Sequence, residues 1–592
     1  MQNQLDSVYT ARIGVYQVEK NKIVKQLGWI SFCRLVLFLL FAWFMYSAIQ
    51  DRFHHLDLVF ALLAIPCFLS LVIFTNHLKN RNRFLEQLIK INENEIAIAN
   101  GQPSFLDNGS EYVQENGFTV DLTIFGPHSL FHLIGRAGSK TGKEQLGKRL
   151  SKPFLGTKEI LDAQACTNEL STKLDFRQKL LAHTLLLQEE EALPQLRTGI
   201  SLADFSVLDS QAWRFLSIFW PSVGIIITLF CIWKNQYSSM LAFGLVGLMI
   251  LSLVFKKTNQ LYHHLSKRSY LYNQYAVCFE LICNEKFEHP YLVQKQAEIK
   301  RAAAAFTRLA KLSGVFDLRT SLFSFIFNGL FFFELHCAKA YLQWIKQNQP
   351  EINTWFDTLG EIELMNSLAG FQYNHPRFIF PKPNQSTLSI EATGMGHPLM
   401  NEEKAVVNDI TIGQHGKLHL ITGSNMSGKS TFLRTLGLNL LLAQSGAPVF
   451  ANTFNFCPVQ LLTSFHHIDS LAESTSYFYA ELKSLQSIIQ EVEKETPSLV
   501  LLDEVMRGTN SKDKHDGTAS LIKKLRQFPC LTLIATHDTE LGILADTYPG
   551  DIENFCFESE LTEKGLSFDF KKKEGVAQTT NATYLMQQMG II

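Results

Sequence analysis

The chain has 592 residues, a formal net charge of −1, 46 Phe and ten Cys. That length holds several domains, and near-neutrality excludes a global field that would draw the protein to nucleic acid. The cysteines form no C-x-x-C pair and no His/Cys cluster, which excludes a zinc module and fits a reducing compartment.

Residues 1–26 are polar, contain Asp6 and Glu19, and end on Lys20, Lys22 and Lys25. They lack the pattern of a cleavable signal and read as a short amphipathic helix. Residues 29–49 and 56–75 are apolar apart from Arg34, Asp57 and Pro66. Each approaches the roughly 20 residues that cross a bilayer as a helix. Trp29, Trp43 and Tyr46 lie toward the ends, where interface aromatics belong. Lys79, Arg81 and Arg83 follow the second segment, so the positive charges place both flanks in the cytosol. Residues 1–105 are therefore expected to form an N-terminal membrane hairpin.

Residues 106–384 read as helical, with a second apolar hairpin at 213–233 and 239–255. Lys234-Asn235-Gln236 joins its arms, and Lys256-Lys257 follows it, again giving both ends a cytosolic side. The region 258–345 carries Lys267, Arg268, Lys295, Lys300, Arg301, Arg308 and Lys311. These suit anionic lipid headgroups or a DNA backbone. Neither stacking aromatics nor a recognition motif accompanies them, which favours the first. Residues 321–335 are very apolar but short, with Asn328 inside and Glu334 at the end. A fifth span would separate the last domain from the middle one, so this stretch is expected to be a buried helix. Pro381, Pro383 and Asn384 mark the boundary to a final domain, 385–592.

That domain carries the chemistry. Gly423-Ser424-Asn425-Met426-Ser427-Gly428-Lys429-Ser430-Thr431 fits the phosphate-loop pattern, between a strand-like run at 417–422 and a helical start at 432–436. Glycines turn backbone N–H groups toward phosphate oxygens, and the helix N-terminus adds positive partial charge. Lys429 reaches the β- and γ-phosphates of ATP, and the Ser430 hydroxyl ligates Mg²⁺. A second apolar run, 498–502, ends in Asp503 and Glu504. A buried parallel strand delivers Asp503 to the metal, and Glu504 polarises the attacking water. A third, 531–536, ends in His537, which is expected to meet the γ-phosphate. Three strands delivering these groups to one edge point to ATP hydrolysis, with Glu504 and His537 as the catalytic pair.

These motifs resemble those of the MutS-type ATPases. The loop with its Asn425-Met426, the segment Asp503-Glu504-Val505-Met506-Arg507-Gly508-Thr509, the signature-like 469–481 and Thr536-His537 are similar to that family's segments in the same order. So are Gly396-His397-Pro398-Leu399 and Val407-Asn408-Asp409-Ile410, at the entry to the ATPase domain. Residues 118–195 resemble the family's core domain, 352–383 the end of its lever and 575–592 its closing dimer helix. The resemblance covers about 118–200 and 258–592. It implies an α/β P-loop (ABC-type) ATPase domain beside an all-α core and lever domain. The two expected transmembrane hairpins come on top of this. It also implies a homodimer in which Ser476 reaches the γ-phosphate across the interface and Asn425 senses the γ-phosphate or the partner.

Several positions depart from the family pattern. Ser474 stands where the family has a glycine, Met506 stands at another glycine, and Ala405 replaces a base-stacking aromatic. Residues 510–515 lengthen the stretch before Asp516-Gly517. No Phe-x-Glu wedge for mismatches lies near the N-terminus, and a membrane hairpin stands where the family carries a DNA clamp. The leading expectation is a multi-pass ATPase of the cell (inner or plasma) membrane. Its core and ATPase domains are cytoplasmic, and its partners are lipids and a further membrane or protein component. The alternatives are a tethered protein binding mismatched or branched DNA, and an ABC-type transporter.

Overall fold

The computed structural model describes residues 2–50, 55–114, 117–187, 196–198, 200–234, 237–321, 324–413, 417–465, 477–562 and 565–578. Two long helices open the chain, α1 (Gln2–Gln50) and α2 (His55–Ala99), and pack along each other. The polar stretch expected to be a separate helix and the first apolar segment are one element. Gly14 and Gly28 lie inside it, and glycine weakens a helix by about 1 kcal/mol without breaking it.

The two halves of this pair differ in what covers them. Ile23, Leu78, Phe84, Leu85, Leu88 and Ile91 are buried together with Leu181 and Ala182. Trp29, Phe32, Leu39 and Trp43 further along α1 are more than half exposed. The segment expected at 56–75 lies within α2, whose residues 55–62 have no described side chains.

A helical middle follows: α3 (Lys140–Ser151), α4 (Thr157–Ser171), α5 (Leu174–Thr184), α6 (Gln211–Lys234), α7 (Tyr237–Ser252), α8 (Phe255–Leu265), α9 (Ser269–Asn284), α10 (Ala302–Asp317), α11 (Ser324–Phe331) and α12 (Phe333–Asn374). By length and composition α1 and α6 are apolar enough to cross a membrane, while α7 and α8 qualify only as a pair bent by 80°. The return arm of the second hairpin ends at Ser252, three residues before the expected boundary, and its 16 residues rise about 24 Å.

The 321–335 stretch departs from expectation more sharply. It breaks at Phe332, whose φ of 51° and ψ of 41° are left-handed, so α11 ends and α12 starts one residue later. Phe325, Ile326 and Phe327 are exposed rather than buried. Helical periodicity shows that a segment is apolar, not what covers it.

The long helix α12 is the spine. Trp344, Trp355, Phe356 and Leu359 on it fill a core shared with α9 and α10. Farther along, Gly360 lets it approach α3: a Cβ there would lie 2.8 Å from the Thr141 carbonyl oxygen. Glu363 is buried at that crossing and accepts from the Gly138 and Ser139 backbone N–H groups at 2.8 and 3.1 Å and from the Ser139 hydroxyl. At the end of α12, Asn374 donates to Glu95 at 2.6 Å and accepts from the Tyr9 hydroxyl at 2.6 Å. Glu95 is also paired with Arg136, Nε to Oε1 at 2.6 Å and Nη2 to Oε2 at 3.0 Å. This network ties α1, α2, the core and α12 at one buried point.

The last domain is mixed α/β. Ten strands run in order: β1 (Lys382–Pro383), β2 (Ile390–Met395), β3 (Asn408–Ile412), β4 (Leu418–Gly423), β5 (Thr453–Phe456), β6 (Gln460–Ser464), β7 (Ser498–Asp503), β8 (Cys530–Thr536), β9 (Ile552–Thr562) and β10 (Gly565–Glu574). The larger sheet has the order β10-β9-β4-β8-β7-β6, parallel throughout except for the β9–β10 hairpin. Every residue of β4, β7 and β8 is buried, as expected for strands covered on both faces. Three helices, α13 (Lys429–Ser445), α14 (Tyr477–Val492) and α15 (Ser511–Leu525), connect them.

The Glu95–Arg136 pair makes a prediction. Burial alone would raise the Glu95 carboxyl, but the Arg136 charge, its hydrogen bonds and that of Asn374 hold it below the ordinary carboxylate range. A depressed carboxylate stabilises the fold above its unfolded pKa of about 4.3, and that contribution fades as the pH falls through the folded value. Replacing Arg136 with Met should lower stability by about 3 kcal/mol, since Glu95 is left charged and unpaired. Thermal unfolding at pH 7 and pH 4 checks this. An unchanged midpoint at pH 7 would remove the pair from the structural account.

Candidate nucleotide site

β4, β7 and β8 are adjacent and parallel in the sheet, so their C-terminal ends form one edge. Gly423, Asp503 and Thr536 are the last residues of these strands. The loop after β4 turns on Gly423 (φ 150°), Met426 (φ 63°) and Gly428 (φ 109°) and feeds straight into α13 at Lys429. At Gly423 side-chain freedom is sterically excluded, because a Cβ would lie 2.4 Å from the Phe557 carbonyl oxygen.

The loop residues are placed as a cradle. Ser427 and Lys429 are buried, Ser424, Gly428 and Ser430 are half-buried, and Asn425, Met426 and Thr431 are exposed. Lys429 Nζ donates to the Gly423 and Ser424 carbonyls, both at 2.8 Å. Burial pulls its pKa down, while Glu504 and Asp503 push it back up. Asp503 Oδ1, Ser424 Oγ and Ser427 Oγ are buried without a hydrogen-bond partner. One carboxylate oxygen and two hydroxyls facing the mouth of a helix fit a phosphate with its hard cation. Mg²⁺ would be held by Asp503 and Ser430.

Glu504 follows on a left-handed φ of 52°, a conformation that costs of order 1 kcal/mol or more for a residue other than glycine. Its N–H donates to the Ala535 carbonyl at 2.8 Å, which fixes the turn. The carboxylate pairs with both Arg507 and His537. Burial would raise its pKa; the His537 hydrogen bond and the charges of His537, Arg507 and Lys429 bring it down to about 2. The other ring nitrogen of His537, Nδ1, lies 2.7 Å from the Gly423 carbonyl oxygen. His537 therefore links the loop to Glu504, a geometry the sequence reading of a phosphate contact did not include.

Met506, at the position expected to favour glycine, adopts φ 62°. Its N–H donates to Glu481 at the start of α14, and its thioether lies against Gly517, 2.4 Å from where a Cβ would stand. The added residues before Asp516-Gly517 also find a place. Asn510 caps α15, and His515 Nδ1 lies 2.7 Å from Asp538 Oδ2, next to His537. Ser476 and most of the signature-like 469–481 lie outside the described residues, as do 579–592 of the expected closing helix.

The sequence reading missed Phe570. It stands on β10 with φ 53°, and its ring edge lies 3.2 Å from where a Cβ on Gly428 would be. The Asn408 side chain donates to its carbonyl at 3.0 Å. The signal lay in Phe568-Asp569-Phe570, two aromatics in an otherwise polar run. They stack with ring centroids 5.9 Å apart. Phe570 thus supplies an aromatic beside the loop, where Ala405 supplies none.

Residues 419–590 match the family MutS domain V. The chain thus resembles the MutS family through this domain. It is 31% identical over 262 residues to the DNA mismatch repair protein MutS of Thermotoga maritima, covering 44% of this chain and 32% of that protein. To the MutS of Thermotoga petrophila it is 33% identical over 252 residues, covering 42% and 31%. To the DNA mismatch repair protein MutS 2 of Halobacterium salinarum it is 31% identical over 231 residues, covering 38% and 26%. The chain thus spans about a third of the length of the MutS relatives it matches, or less. That these relatives are mismatch repair proteins weighs against the transporter alternative.

The loop geometry is open to a direct check. Gly423→Ala should destabilise the last domain by about 1–3 kcal/mol, because the clash is with backbone rather than with a movable side chain. Differential scanning calorimetry reads this; an unshifted transition would mean the loop lies elsewhere.

Proposed function

We propose that this protein is a membrane-anchored MutS-family ATPase. ATP binds on the 423–431 loop with Mg²⁺ on Ser430 and Asp503, and hydrolysis uses Glu504. The observation that carries this reading is the set of buried, unpartnered oxygens of Asp503, Ser424 and Ser427 around the Lys429 ammonium. When bound, Mg²⁺ neutralises charge on the phosphates. Lys429 then leaves the Gly423 and Ser424 carbonyls for phosphate oxygens. Glu504, held well below the usual carboxylate range, stays ionised at neutral pH and orients water. His537 ties the position of Glu504 to that of the loop.

The protein works as a homodimer in which Ser476 and Asn425 complete the partner's site, and ATP binding closes the two copies. Closure shifts the lever α12 only to the extent that ATP binds the closed state better. Because Asn374 on α12 is bonded to Tyr9 and Glu95, that shift passes to α1 and α2. Their exposed apolar halves, with α6 and α7, lie in the bilayer of the cell membrane, and the core and ATPase domains lie in the cytoplasm.

A second reading keeps DNA as the partner, favoured by the mismatch repair relatives. Here the basic surface of 258–345 binds mismatched or branched duplexes beside the membrane. Several of these charges are already engaged, Lys295 with Glu361 at 2.9 Å and Arg301 with Glu351 at 2.7 Å, which reduces what remains for phosphates.

Two experiments test these readings. Glu504→Gln should cut phosphate release by about 10²-fold or more while ATP binding persists, and equal rates for the variant and the parent would rule Glu504 out as the base. Gel shifts with junction, mismatched and plain duplex DNA at low salt should show no retention if lipid is the partner. Retention that weakens steeply with added salt would favour the DNA reading.

A further inference from the structure

The short helix α11 has two unlike sides. One is pressed onto the α6/α7 hairpin at backbone distance. A Cβ on Gly329 would lie 2.6 Å from the Gly244 carbonyl oxygen, one on Gly247 2.0 Å from that of Gly329, and one on Gly224 2.4 Å from that of Leu330. Trp220 Nε1 donates to the Gly329 carbonyl at 2.8 Å, and its ring stacks on Phe243 and Phe332 with centroids 4.2 and 5.4 Å away. Close backbone contact through small residues is how helices associate where burying apolar side chains brings no gain over lipid.

The other side is bare. Phe325, Ile326 and Phe327 are 72%, 49% and 50% exposed, as are Ile218, Ile226, Leu241 and Met249 on the hairpin to a similar or greater degree. Depth follows from helix geometry. Gly244 stands eight residues before Ser252, the last residue of α7, or about 12 Å along its axis. The eight residues of α11 rise about 12 Å as well. The helix therefore reaches well up the hairpin and ends there, at the left-handed Phe332.

Its polar groups are satisfied within the protein. Asn328 donates to Glu334 at 2.7 Å and accepts from the Glu334 N–H at 2.9 Å, and Arg319 pairs with Glu334 at 3.0 Å. Arg319 precedes α11 and Glu334 follows it, so this pair draws the two ends of the segment together. Non-helical backbone at membrane depth is tolerated when it is packed against protein in this way.

We infer that Ser324–Phe331 is a third intramembrane element, a re-entrant half-helix whose Phe325–Phe327 face contacts lipid acyl chains. This rests on the membrane reading above. It gives the lever a direct grip on the bilayer, since one residue separates α11 from α12.

The test uses the full-length protein in liposomes containing a phospholipid with a photoactivatable diazirine in its acyl chain. After illumination, tryptic peptides are mapped. Peptide 320–339 holds α11 and peptide 215–234 holds most of α6. Labelling of 320–339 at Phe325–Phe327, comparable to 215–234 and well above the 385–592 domain, is the expected result. Labelling of 215–234 with 320–339 at the level of the 385–592 domain overturns the inference and leaves the hairpin in the bilayer. Labelling of neither overturns it together with the membrane reading.

Discussion

Glu95 and Arg136 are both buried, and each offsets the cost of burying the other's charge. The pair carries more than local stability. Asn374 from the end of α12 joins it, and Tyr9 from α1 joins Asn374. Four parts of the chain, distant in sequence, thus depend on one ionic contact. An isolated buried pair is seldom a net gain over apolar packing, so its value here lies in fixing which surfaces meet. The entry to the last domain begins just beyond, at His375, which pairs with Glu402 at 2.8 Å.

In the last domain the constraint is the shared edge of three parallel strands. Buried apolar runs bring Gly423, Asp503 and Thr536 to the same height, and the turns after them supply the reactive groups. Two of those turns hold Glu504 and Met506 at positive φ. The strain is held by the Glu504 N–H bond to Ala535 and by the Met506 N–H bond to Glu481. Folding energy from the surrounding sheet keeps these residues in place, and backbone strain of this kind clusters at functional sites.

Much of this was legible in the sequence. The loop, Asp503, Glu504 and His537 each end a run whose length and apolar character announce a buried strand, so their convergence follows from the pattern. Phe570 was not legible, because its nearness to Gly428 depends on the β9–β10 hairpin folding back over the loop. The His537 link to Gly423 was hidden for the same reason: it joins residues far apart in the chain. In the helical region, the apolar segments at 29–49 and 213–233 fall within the long helices α1 and α6. Length and hydropathy did not reveal that α1 is unbroken, that α7 stops early and bends, or that residues 321–335 divide at Phe332. Those outcomes turn on a single left-handed residue and on glycine contacts between helices, which periodicity does not encode.

The continuity of α1 has a mechanical side. Tyr9, bonded to the end of the lever, and Trp43, exposed near the far end, lie on one unbroken helix, about 51 Å apart at 1.5 Å per residue. A tilt of about 5° pivoting at Tyr9 would sweep Trp43 sideways by about 4 Å. A rotation at the base too small to disturb the buried contacts there would arrive at the tip as a displacement of several ångströms.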